Sequence, residues 1–414
     1  MKIATCTPRS FQSGMHFFGR DTGLLCRGLE MAGVESCVIM PGQRSEEDDP
    51  ALVRCDLEDL SSVDWWKRQG LDAVVLYAWG DPRYLAIATA IREAGVFLIQ
   101  SLDNAGMYTP YSDLSNWWRI RAGMIMVPQK LEGRLKSILR VFVDLCPFIY
   151  DRKRTEMLRV SDRIGVVSPG ALEVTSGFLK THGDGGLADS IMLLPHSVRP
   201  RFIYRGEKKE KRVLVVGRWT REDHSQKNPQ ATLQAIRVLL QSRPDWSAEI
   251  VGRDAETLRS FTGSWTDEES SRVTLTGNLT HEELEARYGA AMIHLCGSRH
   301  ESFHIASAEA VCSGCSVVVG DHPLLVSTGW FVSENSGTLA SSRRGADLGL
   351  ALIEEASNWE DGKRDPQSIS ESWCQRVHAD KVAGKIVEIV GSACGESGGT
   401  DEVAEGEKQI LKNH

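Results

Sequence analysis

Two glutamates, Glu301 and Glu309, stand eight positions apart in the stretch Cys-Gly-Ser-Arg-His-Glu-Ser-Phe-His-Ile-Ala-Ser-Ala-Glu-Ala-Val-Cys-Ser-Gly-Cys at 296–315. Paired carboxylates raise the prospect of general acid–base work. On one continuous helix, eight residues would turn about 800° and rise about 12 Å, which separates the two groups. The flanking residues predict another arrangement. Ala291–Leu295 is an apolar run that reads as a buried strand, and Gly297 and Ser298 end it. A helix then starts near His304, is carried by Ala306, Ala308 and Ala310, and stops at Gly314 before the β-branched run Ser316–Val319. Glu301 thus precedes the helix and Glu309 lies inside it, with free backbone N–H groups between them as an anion site. Cys312 and Cys315 have CxxC spacing, but no second pair matches it, and they read as small core residues at a helix end.

The elements that must position this stretch alternate between strand and helix. In the first half Lys2–Thr7, Val34–Met40, Leu71–Tyr77, Val96–Ser101, Ile164–Ser168 and Ile191–Leu194 read as strands, with helices near Asp21–Ala32 and Leu85–Glu93. Such alternation predicts parallel strands joined by crossover helices, and ligands then collect at the carboxyl ends of the strands. That places Gly14, His16, Trp79, Asp81, Asp103 and Asn104 on a candidate cleft face. No Gly-x-Gly-x-x-Gly run follows any of these strands, which removes support for a dinucleotide-binding oxidoreductase.

The rhythm restarts after the charged run 205–212, which reads as an exposed linker. Val213–Val216 ends in Gly217-Arg218, a polar loop carries Lys227-Asn228-Pro229 into the helical Ala231–Leu240, and Ala248–Val251, Val273–Thr276 and Met292–Leu295 follow as strands. The expected organisation is α/β throughout. One Rossmann-like domain spans 1–205, a second spans 206–372, a helix at 373–390 crosses back to the first, and a polar tail fills 391–414.

With 414 residues, 41% hydrophobic and 25% charged, the chain has the length for two full cores. A net charge of −8 argues against broad nucleic-acid binding. No apolar stretch long enough for a transmembrane helix or a signal peptide is found, and ten scattered cysteines suit reduced cytosolic thiols. Residues 115–160 differ in texture: basic residues such as Arg134, Lys136 and Arg140 outnumber acids, and Leu131, Leu135, Ile138, Leu139 and Phe142 recur at helical spacing. Two readings stand. The apolar stripe packs on the sheet with its arginines in water, or it rests on a membrane surface as a peripheral anchor.

Gly217-Arg218, Lys227-Asn228, Gly277-Asn278-Leu279, Glu301-x7-Glu309 and Ser313-Gly314, in that order, resemble the donor half of retaining GT-B glycosyltransferases of the group-one, glycogen-synthase-like type. The resemblance extends more thinly to Lys2–Thr7, Gly14 and the helix ending at Gly33. It implies two Rossmann-like domains facing across a cleft, and transfer of a sugar from a nucleotide donor to a hydroxyl acceptor on a glycan or lipid-linked glycan. No metal and no cofactor is implied, the nucleotide sugar being a substrate. Arg218, Lys227 and Glu301 would act at the reacting centre, with Glu309 on the ribose hydroxyls. Gly14, Gly217, Leu279, Ser302, Phe303 and Ile305 would line the donor site, and His16 and Trp79 would lie on the acceptor side. Two positions depart from the family pattern. Its glycines after the first glutamate are replaced by Ser302 and His304, and the family's histidine after the Val96–Ser101 strand is replaced by Leu102-Asp103-Asn104, which makes Asp103 the catalytic and acceptor-side candidate. His304 either donates to a phosphate or the sugar, or narrows the pocket. A sugar-nucleotide epimerase and a non-catalytic scaffold on the same fold remain as alternatives.

Overall fold

The computed structural model describes residues 1–11, 17–102, 114–126, 131–146, 151–333 and 335–395. Gly14, His16, Asp103 and Asn104 lie outside the described residues. Seven strands form the first sheet: β1 (Lys2–Cys6), β2 (Glu35–Pro41), β3 (Leu52–Cys55), β4 (Ala73–Tyr77), β5 (Phe97–Ser101), β6 (Arg163–Val166) and β7 (Ile191–Leu193). Six form the second: β8 (Glu210–Val216), β9 (Ser247–Val251), β10 (Val273–Thr276), β11 (Ala291–Cys296), β12 (Ser316–Gly320) and β13 (Gly337–Ala340). Every pairing is parallel, and the orders are β3-β2-β1-β4-β5-β6-β7 and β10-β9-β8-β11-β12-β13. Each sheet reverses direction once, between β1 and β4 and between β8 and β11. Those two switch points are where the crossover helices part and leave a crevice.

The apolar runs seen in the sequence are the central strands. Ala73–Tyr77 and Ser316–Gly320 are buried along their whole length because helices cover both faces. The two strands that sequence pattern did not disclose, β3 and β13, are four-residue strands at sheet edges. There a strand is half-covered and its alternation is short.

The chain crosses between the sheets twice, and the two crossings pair. Val198 N–H donates to the Val377 carbonyl (2.8 Å), and Ala379 N–H donates to the Val198 carbonyl (2.9 Å). This pairing changes two expectations. The segment at 373–390 is not one helix: Pro366–Val377 ends, His378 takes an extended backbone (φ −62°, ψ 143°), and a new helix runs Ala379–Gly395. The break releases backbone groups to the first crossing. The helix also continues through Gly391–Gly395, where a polar tail was expected; 396–414 lie outside the described residues. Gly28 makes the return possible, since a Cβ there would sit 2.3 Å from the Ala379 carbonyl oxygen. Nor is 205–212 a free linker. Glu210–Arg212 opens β8, and Lys209 Nζ donates to the carbonyls of Tyr288 (3.1 Å) and Ser313 (2.8 Å).

The basic segment also departs from the plainer expectation. Helix Leu131–Asp144 touches helix Leu114–Met126, and its half-buried positions are Gly133, Ser137, Arg140, Val141 and Val143. Its apolar stripe faces outward, with Leu131 73%, Leu135 58%, Leu139 63% and Phe142 62% exposed. Among the described residues, no helix is long and apolar enough to cross a membrane.

The far edge of the second sheet is closed by a buried ion pair. Arg364 reaches both Glu355 oxygens (2.6 and 2.7 Å), Thr338 Oγ1 donates to the same carboxylate (2.6 Å), and Arg364 also donates to the Gly337 carbonyl (3.2 Å). Removing one partner strands a buried charge. Arg364→Met is expected to lower the free energy of urea unfolding by about 3–5 kcal/mol, and Arg364→Met combined with Glu355→Leu to recover most of that loss.

Candidate active site

The second switch point lies between β8 and β11, so the loops leaving those strands must flank its crevice. β8 ends at Val216 and hands the chain to Gly217 and Arg218. The neighbouring backbone is crowded here: a Cβ on Gly252, whose φ is +129°, would sit 1.8 Å from the Gly217 carbonyl oxygen. The loop then forms the short helix His224–Lys227. Asn228 takes a left-handed conformation (φ 55°), and Pro229 starts the next helix. This turn aims Lys227 back at the loop after β11.

Lys227 Nζ lies 2.7 Å from Glu301 Oε1. Gln226 Nε2 donates to the other oxygen, Oε2 (3.1 Å), and to the His300 carbonyl (3.2 Å). The Glu301 backbone is held as well, its N–H donating to the Leu324 carbonyl (3.0 Å). Burial alone would push the Glu301 carboxyl up. The nearby His304 and Lys227, with hydrogen bonds from Lys227 and Ser298, outweigh it and hold Glu301 below the usual carboxylate range. His304 cannot be the charged partner at neutral pH, because its own burial brings its pKa down to about 4. Lys227 is therefore the cation that keeps Glu301 ionised.

His304 stands beside the first glutamate, its ring Nε2 3.9 Å from Glu301 Oε1. It sits in the left-handed region (φ 75°, ψ 75°), a conformation glycine adopts freely and other residues rarely do. Its ring turns inward. Nδ1 lies 2.7 Å from Ser307 Oγ, and the ring packs 5.6 Å from that of His294. The hydrogen bond to Ser307, one turn into the helix, holds the strained residue in place. Phe303 is likewise withdrawn. It is fully buried between His196, Trp330 and Phe331, with ring centroids 5.5, 6.4 and 5.2 Å away. As a donor-lining side chain it is corrected to a core residue. Ser302 is exposed, Ile305 is half-buried, and Leu279 packs against the apolar core from its edge.

Helix Ile305–Cys312 makes its first internal bond from Ser307 N–H to the His304 carbonyl (3.0 Å), so the amides of Ile305 and Ala306 precede the ladder. Glu309 follows on the same helix, and the Tyr288 hydroxyl lies 3.4 Å from its Oε2. Glu309 retains accessible surface, yet protein surrounds most of it. That burial pushes its carboxyl up to about 7, against the pull of Arg199, Tyr288 and Arg20. Arg218 stands at the mouth, 60% exposed, with a guanidinium nitrogen 3.2 Å from Asp223.

The facing side of the crevice comes from β1, β4 and the first crossing. Trp79, just past β4, is left-handed (φ 53°), and Arg9 stacks over its ring at 4.5 Å. Arg199 lies over Gly19, donating to its carbonyl (2.9 Å), and a Cβ on Gly19 would collide with that guanidinium. His196 Nδ1 stands 3.7 Å from Asp21. Sequence reasoning missed Arg20, Asp21, His196 and Arg199. The two arginines reach Glu309 only through the tertiary fold, and no spacing in the sequence announces it. The structure thus brings Lys227 onto Glu301 and sets Glu309 under the influence of Arg199 and Arg20, while Trp79 packs with Arg9 and Tyr84 past β4.

Comparison with known proteins bears on the family and the fold. Residues 210–353 match the family model described as glycosyl transferases group 1. A curated relative from Xanthomonas oryzae pv. oryzae (strain PXO99A), a GDP-mannose:cellobiosyl-diphosphopolyprenol alpha-mannosyltransferase, is 28% identical over 189 residues, which cover 44% of this chain and 47% of the relative. The match thus spans about half the length of that curated relative. Among solved structures, a glycosyltransferase from Rickettsia africae ESF-5 aligns with a TM-score of 0.63 at 12% identity, covering 95% of this chain and 99% of that one. The lipopolysaccharide outer core galactosyltransferase WaaB, in apo form, aligns at 0.61 and 14% identity, covering 94% and 99%. At those identities the likeness is one of fold.

The raised Glu309 has a consequence for stability. Between its unfolded value and about 7 the folded state holds a proton that the unfolded state has released, so stability falls as pH rises through that window. Relative to Glu309→Gln, the wild type is expected to lose on the order of 1–3 kcal/mol between pH 4.5 and pH 8. Denaturant titrations of both proteins at the two pH values measure the difference, and parallel curves would reject the buried, proton-holding Glu309.

Proposed function

We infer that this chain, a member of the group 1 glycosyltransferases with the GT-B fold, transfers a sugar from a nucleotide-diphosphate sugar to a hydroxyl acceptor in polysaccharide or glycolipid assembly. The observation that carries the reading is the Lys227–Glu301 contact across the switch point, with Arg218 at its mouth. Departure of a nucleoside diphosphate places about two negative charges on the leaving group, and fixed cations lower the barrier most where that charge develops. Lys227 uses one of its three N–H donors on Glu301 and has two more to offer phosphate oxygens. Arg218 presents a planar fork of donors suited to a phosphate. The early amides of helix Ile305–Cys312 add oriented dipoles.

In this reading Glu309 accepts from the ribose hydroxyls and Glu301 from hydroxyls of the sugar near its reacting carbon. Both are acceptor roles that a carboxylate fills well. The reaction proceeds with retention at the anomeric carbon and without a metal ion. The leaving diphosphate takes the acceptor's proton, so no protein base is assigned. Closure of the two domains excludes water. The Xanthomonas relative, named for a diphosphopolyprenol-linked acceptor, supports a lipid-linked glycan as acceptor here.

A panel of nucleotide sugars, scored by thermal shift and then by product analysis, tests the reading: a transferred glycoside supports it, and an isomerised nucleotide sugar would point to an epimerase. Lys227→Ala or Arg218→Ala is expected to lower turnover by roughly 10²–10³. Full turnover in either variant would remove the leaving-group assignment.

A lipid-linked acceptor also gives the outward stripe of helix Leu131–Asp144 an occupant, an anionic membrane surface. Leu131, Leu135, Leu139 and Phe142 face away from the protein, and Arg134 and Lys136 flank them. Apolar insertion and attraction of the basic flanks to anionic headgroups act together at such a surface. Sedimentation with anionic vesicles at low salt is expected to carry down the wild type and to leave Leu135→Glu/Phe142→Glu in solution. Wild-type protein that stays in solution would end the membrane reading.

A further inference from the structure

We propose that Cys312, Cys374 and His378 form a binding site for a thiolate-seeking divalent cation of the Zn²⁺ class at the junction of the two domains. This goes beyond sugar transfer and does not depend on it.

The geometry starts with which cysteines meet. The CxxC spacing of Cys312 and Cys315 suggests a pair, but their thiols go to different places. Cys315 Sγ approaches the carbonyls of Tyr288 (3.1 Å) and Ala291 (3.3 Å) on one side of the helix end. Cys312 instead faces Cys374, on helix Pro366–Val377, and His378, just after it. One ligand atom from each of these three residues lies within 4.8 Å of the other two, and all three residues are buried. Among the described residues this is the one group of three metal-ligating side chains so arranged.

Two sulfurs and one imidazole suit Zn²⁺, which takes tetrahedral thiolate and imidazole ligands and leaves a fourth position to a hydroxyl or water. The Ser370 hydroxyl lies 3.7 Å from Cys374 Sγ and donates to the Cys312 carbonyl, packing beside both thiol-bearing residues. The imidazole is already oriented as a ligand should be. His378 Nε2 lies 2.9 Å from the Phe202 carbonyl, and in the tautomer that donates there Nδ1 is the unprotonated nitrogen. A carbonyl accepting from the distal ring nitrogen is the usual outer support of a metal-bound histidine. Charge also balances. Binding releases the two thiol protons to solvent, and two thiolates with one divalent cation leave no net charge in a buried site.

The position explains what such an ion would do. Cys312 closes the helix that carries Glu309. Cys374 and His378 lie where the second crossing passes from one helix to the next, and Phe202 belongs to the first crossing. One ion would therefore tie the donor half to both crossings, and the junction should stiffen and melt later.

The test uses the full chain, reduced, washed with chelator and then equilibrated with Zn²⁺ or Co²⁺. The expected result is one equivalent of zinc by elemental analysis, a raised Tm, and with Co²⁺ a thiolate-to-cobalt charge-transfer band with the visible absorption of tetrahedral coordination. Cys374→Ser and His378→Gln should each lose the equivalent and the cobalt band. If a variant does not fold, the cobalt spectrum of the wild type still decides. Wild type that keeps the pale six-coordinate cobalt spectrum in excess metal, or variants that bind zinc as the wild type does, would overturn the site.

Discussion

Val198 and Val377–Ala379 run side by side, and the cleft depends on that pairing more than on any single side-chain contact. Two parallel sheets with reversed strand order each have a crevice, but nothing within either sheet makes the crevices face one another. The paired crossings do so by placing two backbone segments between the sheets and satisfying their polar groups on each other. Burial makes the arrangement hard to relax. Phe202, Tyr288, Phe331, Trp373 and Val377 belong to one apolar cluster that runs from the first sheet to the second. A buried, close-packed junction of this kind transmits small shifts at one face to the other.

On that frame the crevice of the second sheet is built from unfavourable groups that compensate one another. Glu301 is buried but stays ionised because Lys227 and Gln226 occupy its oxygens. Glu309 is hemmed in, with no ion pair among the described residues, and keeps its proton to about 7. His304 occupies a glycine conformation and is held by Ser307. His294 beside it is fully buried, and burial depresses its pKa well below the ordinary imidazole value, so the ring stays neutral. Strain and buried polarity of this kind cost stability and persist where the surrounding packing over-determines them. Here they cluster within one loop and the strand that precedes it.

The outward stripe of helix Leu131–Asp144 shows the same economy at the surface. A helix turned with Gly133 and Ser137 inward and four large apolar side chains outward is a poor solution for a water-facing element. It is the arrangement expected at the membrane surface proposed above, where apolar insertion and basic flanks act together.

Much of this molecule was legible in the residues alone, because its strongest signals are local. Strand and helix alternation, the break at Gly297-Ser298 and the helix after His304 follow from propensity and spacing, which act over a few neighbours, while the ordered set Gly217-Arg218, Lys227, Glu301, Glu309 stood out by its resemblance to a family. The short edge strands β3 and β13 escaped because four residues carry too little pattern. Other features were settled only by contacts between residues far apart in the chain. The inward turn of His304 depends on the space beside His294, and the grip on Glu301 depends on a lysine 74 positions earlier. Arg199 and Arg20 influence Glu309 from the opposite wall. The cysteine that faces Cys312 is Cys374, 62 positions away, and not its CxxC neighbour Cys315. The sequence by itself determined which elements form and which residue types they carry to the strand ends. Which side chains meet there was decided by the tertiary structure, because long-range contact depends on how whole sheets pack and not on local preference.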